Sequence, residues 1–292
     1  MSSPSGRHVL LINIAVLFIS TSGPLGRYIQ MAPPATIWWR CLLGTIVLFA
    51  VVKALKHPTR LAFRKIGLPV MGAGVLLGIH WITYFYALQV SNVAIGLLSL
   101  FSYPLFTALL EPVLLGTKFQ SRQLVLAIIC LLGLYLLVPD LDLASGAMQG
   151  VLWGTVSAIC YAIRNIILKK QIADVPGTTL MLFQLLTCTL LFWPVLFYFD
   201  PGPIVTEWPW VALLAVITTA GGHTLFVISL RYFSVSTTSI ISSTQPVFGV
   251  ILGMIFLGEI PALNTVAGGT LILFTVVMES ILSRRSAKPK VT

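Results

Sequence analysis

Polar side chains stand inside long apolar runs of this chain, and their spacing suggests a binding cavity. Ser99 and Tyr103 are four residues apart, so they share one face of a helix. His80 and Tyr84 are also one turn apart, and Trp81 lies beside them. An imidazole this deep in hydrocarbon is costly unless it faces a cavity or a polar partner. The alternative is that each histidine is a packing residue and each hydroxyl bonds back to its own helix.

A further set of candidates comes from the second half of the chain. Thr219 and His223 are one turn apart, and Ser242 and Gln245 share a helical face. Aromatic residues would form the apolar walls of a site, and polar groups would orient a small molecule there. The predicted substrate-binding residues are Arg40, His80, Trp81, Tyr84, Ser99, Tyr103, Tyr161, His223, Ser242 and Gln245.

Four charged residues lie within apolar runs: Arg40, Arg164, Glu111 and Glu279. A charge in hydrocarbon usually serves a pathway or a pair, although a long side chain can instead reach the membrane interface. The deep groups are cationic or imidazole, and no Asp or Glu lies at the centre of an apolar run. A substrate that carries a carboxylate therefore fits better than a bare cation.

The same residues argue against metal and reaction chemistry. All four cysteines lie in apolar runs without a CxxC pair, and no acidic or thiol ligand is near the histidines. We expect no disulfide, no metal and no cofactor. No acid pair or activated nucleophile is visible, so we do not expect an enzyme, and an intramembrane enzyme is the least favoured class.

The elements that position these residues must be membrane-spanning helices. The chain is 57% hydrophobic and 9% charged, which no soluble domain could bury. Apolar runs of about 20 residues match the thickness of a bilayer. We therefore predict an all-α membrane protein with ten transmembrane helices. The predicted spans are 8–28, 35–53, 66–88, 92–114, 121–138, 147–170, 178–199, 208–231, 234–257 and 262–283.

Charge placement predicts the orientation of these spans. With a cytoplasmic N-terminus, the inner segments hold 15 of the 18 basic residues, and the outer segments hold only Arg27. This asymmetry follows the positive-inside rule, so we expect both termini in the cytoplasm. The net charge of +10 is then an orientation signal facing anionic lipid rather than a nucleic-acid patch.

One sequence motif occurs twice in the chain. Pro104-Leu-Phe leads to Leu-Gly116, and Pro246-Val-Phe leads to Leu-Gly258, with 12 residues from Pro to Gly in both copies and 142 residues between copies. The chain therefore divides into a first half (1–140), a second half (146–285) and a basic cytoplasmic tail (286–292). Five spans per half is an odd number, so the halves must be inverted repeats around a central cavity. Pro104 and Pro246 would form matching kinks that serve gating.

The two copies differ directly after this motif, because the first copy has Thr117 where the second copy has Glu259. The repeat also places His223 at the position equivalent to Trp81. The two halves are therefore no longer chemically equivalent, either at the helix ends or in the predicted cavity.

With these features the chain resembles the drug/metabolite transporter superfamily, EamA type. The resemblance rests on ten spans in paired halves, Arg40 in the second span, the central prolines of spans four and nine, and Leu257-Gly258-Glu259. It implies a carrier in the cytoplasmic (inner) membrane that moves small metabolites, often exporting amino acids. The departure at Thr117 weakens any role shared by paired acids.

The leading hypothesis is an exporter of an amino acid or similar metabolite by alternating access, working as a monomer in the lipid bilayer. Glu111 or a histidine is the candidate for coupling export to protons. The alternative is a multidrug exporter for lipophilic cations, which would need a carboxylate deep in the cavity.

Overall fold

The computed structural model describes residues 6–61, 66–116, 122–138, 142–172, 174–200, 202–229, 231–232, 241–242 and 244–286. For residues 115, 122–124, 170 and 279–286 it describes the backbone alone. All regular structure in these residues is helical. Glu279 and Thr117 thus lie outside the side chains described.

The helices follow one another with short connections. They are α1 (Gly6–Ser20), α2 (Ser22–Tyr28), α3 (Pro33–Ala54), α4 (Leu68–Val90), α5 (Val93–Leu100), α6 (Tyr103–Leu115), α7 (Arg122–Leu136), α8 (Gly146–Gln171), α9 (Gly177–Phe192), α10 (Val195–Tyr198), α11 (Ile204–Leu213), α12 (Thr224–Ser229), α13 (Gln245–Leu257) and α14 (Leu263–Ser286). A π-helical segment, Leu214–His223, joins α11 to α12. Side-chain oxygens of Asn92 and Ser145 cap the first turns of α5 and α8.

Six helical stretches of the described residues are long and apolar enough to cross a membrane. Four shorter apolar helices accompany them, and each of the ten predicted spans overlaps one of these ten stretches. The six are Gly6–Tyr28, Pro33–Ala54, Leu68–Val90, Val93–Leu114, Gly146–Lys169 and Ile204–Ser229. The shorter four are Val125–Leu136, Gly177–Phe192, Gln245–Leu257 and Leu263–Met278.

The repeated sequence motif forms two matching helices, α6 and α13. Each has 13 residues, and each residue of α13 follows its counterpart in α6 by 142 positions. Both helices end at a glycine, Gly116 or Gly258, with the same φ of 68°. A left-handed residue at this position closes a helix, and glycine adopts that conformation without a Cβ clash.

The prolines act differently from the prediction. Pro104 and Pro246 lie in the first turn of α6 and α13 instead of inside a longer helix. In span four the helix is interrupted between Leu100 and Tyr103, and Pro104 lies in the first turn that follows, because proline lacks an N–H and fits best where a helix starts. Matched hydroxyl bonds precede both helices: Ser102 to the Ser99 carbonyl and Thr244 to the Ile241 carbonyl, each 2.7 Å.

Contacts between the two halves are reciprocal. Helix α4 packs along α8, and α1 packs along the π-helical segment and α12, which is the same pairing with the halves exchanged. Helices at equivalent positions also contact each other: α3 with α9, α5 with α13, and α7 with α14. Such a pattern is expected of two similar halves related by a two-fold axis.

Glycines allow the halves to approach closely. A Cβ on Gly249 would lie 2.3 Å from Leu97 Cδ1, and one on Gly268 would lie 2.5 Å from the Gly133 carbonyl oxygen. The α7–α14 contact thus brings two backbones together, as small residues do between membrane helices. Gly249 and Gly78 instead make room for side chains, Leu97 of α5 and Phe192 of α9 respectively.

Candidate substrate cavity

A narrow cavity lies between the two halves. Its volume is about 20 Å³, room for one or two water molecules. Helices from both halves supply its walls, and eight of the ten predicted binding residues line it. These eight are His80, Trp81, Tyr84, Tyr103, Tyr161, His223, Ser242 and Gln245, and the other lining residues are Ile19, Ser22, Leu100, Phe101 and Phe226.

Stacked aromatic rings form one wall. The His80 ring stacks on Tyr161 with centroids 4.6 Å apart, and Tyr103 meets Tyr161 edge to face at 4.9 Å. Tyr84 lies parallel to His80 at 6.3 Å. Rings that contact each other in these geometries hold a rigid, apolar surface with polar edges.

The opposite wall brings together residues from equivalent positions of the repeat. Trp81 and His223 are 142 residues apart, and their rings meet edge to face at 5.3 Å. Tyr103 and Gln245, also 142 apart, both line the cavity. Equivalent residues of the two halves thus meet in this cavity.

The hydrogen bonds of His80 determine which ring nitrogen carries the proton. The Ser157 hydroxyl donates to the His80 carbonyl at 2.8 Å, so its proton is already used. The 2.7 Å contact between Ser157 Oγ and His80 Nδ1 must then be a bond that the ring donates. The neutral ring therefore leaves its Nε2 lone pair free to accept a hydrogen bond.

Arg40 does not line the cavity but lies directly behind its wall. The guanidinium carbon is 3.9 Å from the centre of the Trp81 ring, a cation–π contact. Its Nε donates to the Thr219 hydroxyl at 2.6 Å and Nη2 donates to Thr218 at 3.2 Å. Among the described residues no carboxylate pairs with this fully buried charge.

Arg164 occupies a similar place behind the other wall. It is fully buried, donates to Gln184 Oε1 at 2.8 Å and to Asn165 Oδ1 at 3.0 Å, and lies 5.6 Å from the Tyr161 ring. Its partners are again neutral. Two positive charges thus flank the cavity, and within the described structure no lining side chain is acidic.

Several buried polar atoms around the cavity have no hydrogen-bond partner in the described structure. A buried polar group left unpaired costs about 1–3 kcal/mol, so such atoms usually mark a place where a ligand or water binds. Those near the cavity are Arg40 Nη1, Tyr84 Oη, His223 Nδ1 and Ser242 Oγ.

Ser99 is not among the lining residues, although it faces α8, as Tyr103 does. Ser99 packs against α8, because a Cβ added to Gly154 would lie only 2.5 Å from the Cβ of Ser99.

The remaining sequence candidates lie beside the cavity or away from it. Pro104 and Pro246 each follow a lining residue without lining the cavity themselves. Glu111 lies further along α6 and forms an ion pair with Lys169, with 2.5 Å between Lys169 Nζ and Glu111 Oε1. Sets of three or more His, Cys, Asp or Glu side chains arranged for a metal ion are absent from the described residues.

Sequence reasoning missed several lining residues that the repeat itself could have indicated. Ile19, Phe226 and Leu100 stand 142 positions from three predicted residues, Tyr161, Tyr84 and Ser242 respectively, and all six line the cavity. In each of these three pairs one member has a hydroxyl and the other is apolar. Equivalent positions therefore line the cavity in both halves, but their side chains differ in size and chemistry.

Comparisons with known proteins give a consistent result. The profile of the EamA-like transporter family matches residues 6–138 and again 148–281. The threonine/homoserine exporter RhtA of Escherichia coli K12 is 28% identical over 261 residues, 86% of this chain and 83% of that protein. The pseudopaline exporter CntI of Pseudomonas aeruginosa PAO1 is 23% identical over 276 residues, 92% of this chain and 94% of that protein.

Two further matches extend this comparison. An uncharacterized transporter of Archaeoglobus fulgidus is 27% identical over 219 residues, 74% of this chain and 78% of that protein. A solved crystal structure superposes with a TM-score of 0.69 at 20% identity, covering 98% of this chain and all of the other. This likeness establishes the fold.

Proposed function

Because this chain belongs to the EamA-like transporter family, we propose that it exports amino acids or similar small metabolites across the bacterial inner membrane by alternating access. It is a multi-pass membrane protein, and its relatives include exporters of threonine and homoserine and of pseudopaline. No step of this function calls for a catalytic residue or a cofactor.

The architecture we propose has ten spans in two inverted five-helix repeats, residues 1–140 and 146–285. The reciprocal helix contacts support it, because the α4–α8 contact and the contact of α1 with the π-helical segment replace each other when the halves are exchanged. The matched pair α6 and α13 supports it as well. Five spans per half invert the second half, and sites in such folds lie near mid-membrane between the repeats.

The observation that carries the substrate class is the pair of buried arginines. Arg40 and Arg164 flank the cavity, and both bond to neutral groups. Burying a charge costs several kcal/mol unless a counter-charge is near, and a substrate carboxylate would supply one. The proposed substrate thus has a carboxylate attracted by these charges.

The rest of the cavity suits an amino acid. His80 Nε2 and the hydroxyls of Tyr84 and Ser242 are acceptors for an ammonium group. The aromatic walls pack against an aliphatic or aromatic side chain. Because the cavity holds only one or two waters when empty, the walls must separate as a substrate enters.

Efflux from proteoliposomes tests this function. The purified protein is reconstituted, and the vesicles are loaded with labelled threonine, homoserine and a broad panel of other amino acids. We expect efflux of at least one carboxylate-bearing substrate, and the decarboxylated amine of that substrate should not compete. Absence of efflux across the panel, with and without a proton gradient, would contradict the proposal.

Export of lipophilic cations is the alternative from the sequence, and the described cavity disfavours it. A cation would meet two arginine charges and no carboxylate on the described lining. Growth of an expressing strain on quaternary ammonium compounds decides between the two functions, because increased resistance is expected only of the alternative.

A further inference from the structure

We infer that two ion pairs, one at each end of the cavity, hold the two halves together and open in turn during transport. The Arg27 pair joins Arg27 to Glu259, and the Lys169 pair joins Lys169 to Glu111. Each pair connects a residue of the first half to a residue of the second. This inference rests on the alternating-access function proposed above.

The Arg27 pair is the centre of a small network. Arg27 Nε donates to Glu259 Oε1 at 2.9 Å, and Arg27 Nη1 donates to the Gln89 carbonyl at 2.8 Å. Glu259 Oε2 accepts from the backbone N–H of Val93 at 2.8 Å. Glu259 follows the left-handed Gly258 that ends α13, and its carboxylate joins the second half to α2 and α5 of the first. Arg27 extends this network to α4 through the Gln89 carbonyl.

The Lys169 pair is simpler. Lys169 lies near the C-terminal end of α8, and its Nζ is 2.5 Å from Glu111 Oε1 on α6. Both side chains are partly exposed, as are those of the Arg27 pair. Each pair can therefore form and break at modest cost.

The two pairs lie at opposite ends of the same span. Val93, which bonds Glu259, starts α5, whereas Glu111 is 18 residues further along span four. At 1.5 Å per residue this separation is about 27 Å, close to the thickness of the hydrocarbon core. Phe101 and Tyr103 line the cavity between these two positions.

The repeat relates the two cations. Lys169 follows Arg27 by 142 positions, the spacing that separates every matched residue of the two halves. The acids do not correspond, since the position equivalent to Glu259 is Thr117, which cannot form an ion pair. Glu111, six residues before Thr117, supplies the acid instead. Both copies thus have a basic residue at this position. Their acidic partners, Glu259 and Glu111, come from positions that the repeat does not relate.

The structure has both pairs formed and the cavity narrow, as expected when both ends are closed. In alternating access one end opens while the other stays shut. Breaking one pair should therefore favour opening at its own end. A partly exposed ion pair contributes little, so the expected shift is about two- to fivefold.

Site-directed labelling from each face of the membrane tests this inference. Ser22→Cys places a reporter thiol in the cavity wall, and a membrane-impermeant maleimide is applied to right-side-out and to inside-out vesicles. Arg27→Ala should raise the labelling rate about two- to fivefold from one face only. Lys169→Ala should raise it by a similar factor from the other face.

Controls separate the ion pairs from general loosening. Asp142→Asn should leave both rates unchanged, because among the described contacts the Asp142 side chain accepts only from the nearby Ala144 N–H. The exchanged pair Arg27→Glu with Glu259→Arg should return the rate toward that of the parent. If Arg27→Ala yields no folded protein, Glu259→Gln removes the charge and keeps an acceptor for Val93.

The outcome is independent of substrate, since labelling needs none. Equal rate changes at both faces, or no change in folded Arg27 and Lys169 variants, would overturn the ion-pair inference even if efflux is observed. Face-specific changes would support it even if the substrate panel fails, in which case only the proposed substrate class falls.

Discussion

Arg40 holds a full charge in the protein interior with two threonine hydroxyls and an indole ring. A lysine would keep the charge but not the flat surface that stacks on Trp81 or the fork that reaches Thr218 and Thr219. The electrostatic potential in the cavity therefore depends on the geometry of the Arg40 side chain as well as on its charge.

The first prediction at the residue scale follows from this geometry. Arg40→Lys should lower efflux about tenfold, because losing a charged hydrogen bond costs about 1.5 kcal/mol. Initial efflux rates in proteoliposomes measure it, at matched protein levels. Arg60→Lys is the control, since Arg60 is exposed. Equal efflux from both variants would contradict a role for the Arg40 geometry.

A second residue-scale prediction concerns the tautomer of His80. Ser157→Ala removes the 2.7 Å bond to Nδ1 and leaves only the 3.2 Å contact with the Ser157 carbonyl. The proton is then held less firmly on Nδ1, and Nε2 is less often free to accept. We expect KM to rise about fivefold, the effect of one hydrogen bond of about 1 kcal/mol, with little change in maximal rate. Thr155→Val is the matched control, because Thr155 bonds to Val151 on its own helix. A change in rate alone would point to a structural role.

At the scale of secondary-structure elements, two irregular places in the helices carry residues of the site. The α5–α6 break directs Tyr103 into the cavity, and the π-helical segment carries Thr218, Thr219 and His223. A π-helical segment shifts the register of the residues after it, and such segments often occur at functional sites. Both of these irregular places adjoin the cavity.

The prediction at this scale concerns the α7–α14 contact. Gly268→Ala would place a Cβ 2.5 Å from the Gly133 carbonyl oxygen, and backbone cannot move aside as a side chain can. We expect destabilisation of about 1–3 kcal/mol and a Tm lower by about 2–10 °C in detergent. Gly72→Ala is the control, because its Cβ would meet nothing within 4 Å and alanine favours a helix. Equal Tm values would show that the helices separate easily.

The whole molecule is organised around the relation between its halves. Helix contacts are reciprocal, and five pairs of lining residues are related by the 142-residue spacing. Equivalent positions of the two halves therefore line the cavity. The proposed transport cycle uses this relation, because the two ends of the cavity can close by similar contacts.

Orientation in the membrane gives the prediction at this scale. Arg27 is the single basic residue assigned to the outer segments, so both termini should be cytoplasmic. Green fluorescent protein fused after Thr292 should fluoresce, and alkaline phosphatase fused at Asp142 should be active outside. An inactive phosphatase at Asp142 together with a dark C-terminal fusion would reverse the assignment.

The sequence by itself determined the membrane class, the duplicated halves and most candidate residues. Apolar run length, charge asymmetry and the 142-residue spacing are properties of the chain, so each can be read without coordinates. Trp81 and His223 could be paired in advance for this reason, and the structure brings their rings together.

Only the tertiary structure decided which way each side chain points. Ser99 packs beside Gly154 of α8 without lining the cavity, and Arg40 lies behind Trp81 instead of at the surface of the site. The partners of Glu111 and Glu259 were likewise open until the halves were packed. Helix rotation and long-range pairing depend on residues more than 50 positions apart, which local sequence patterns do not encode.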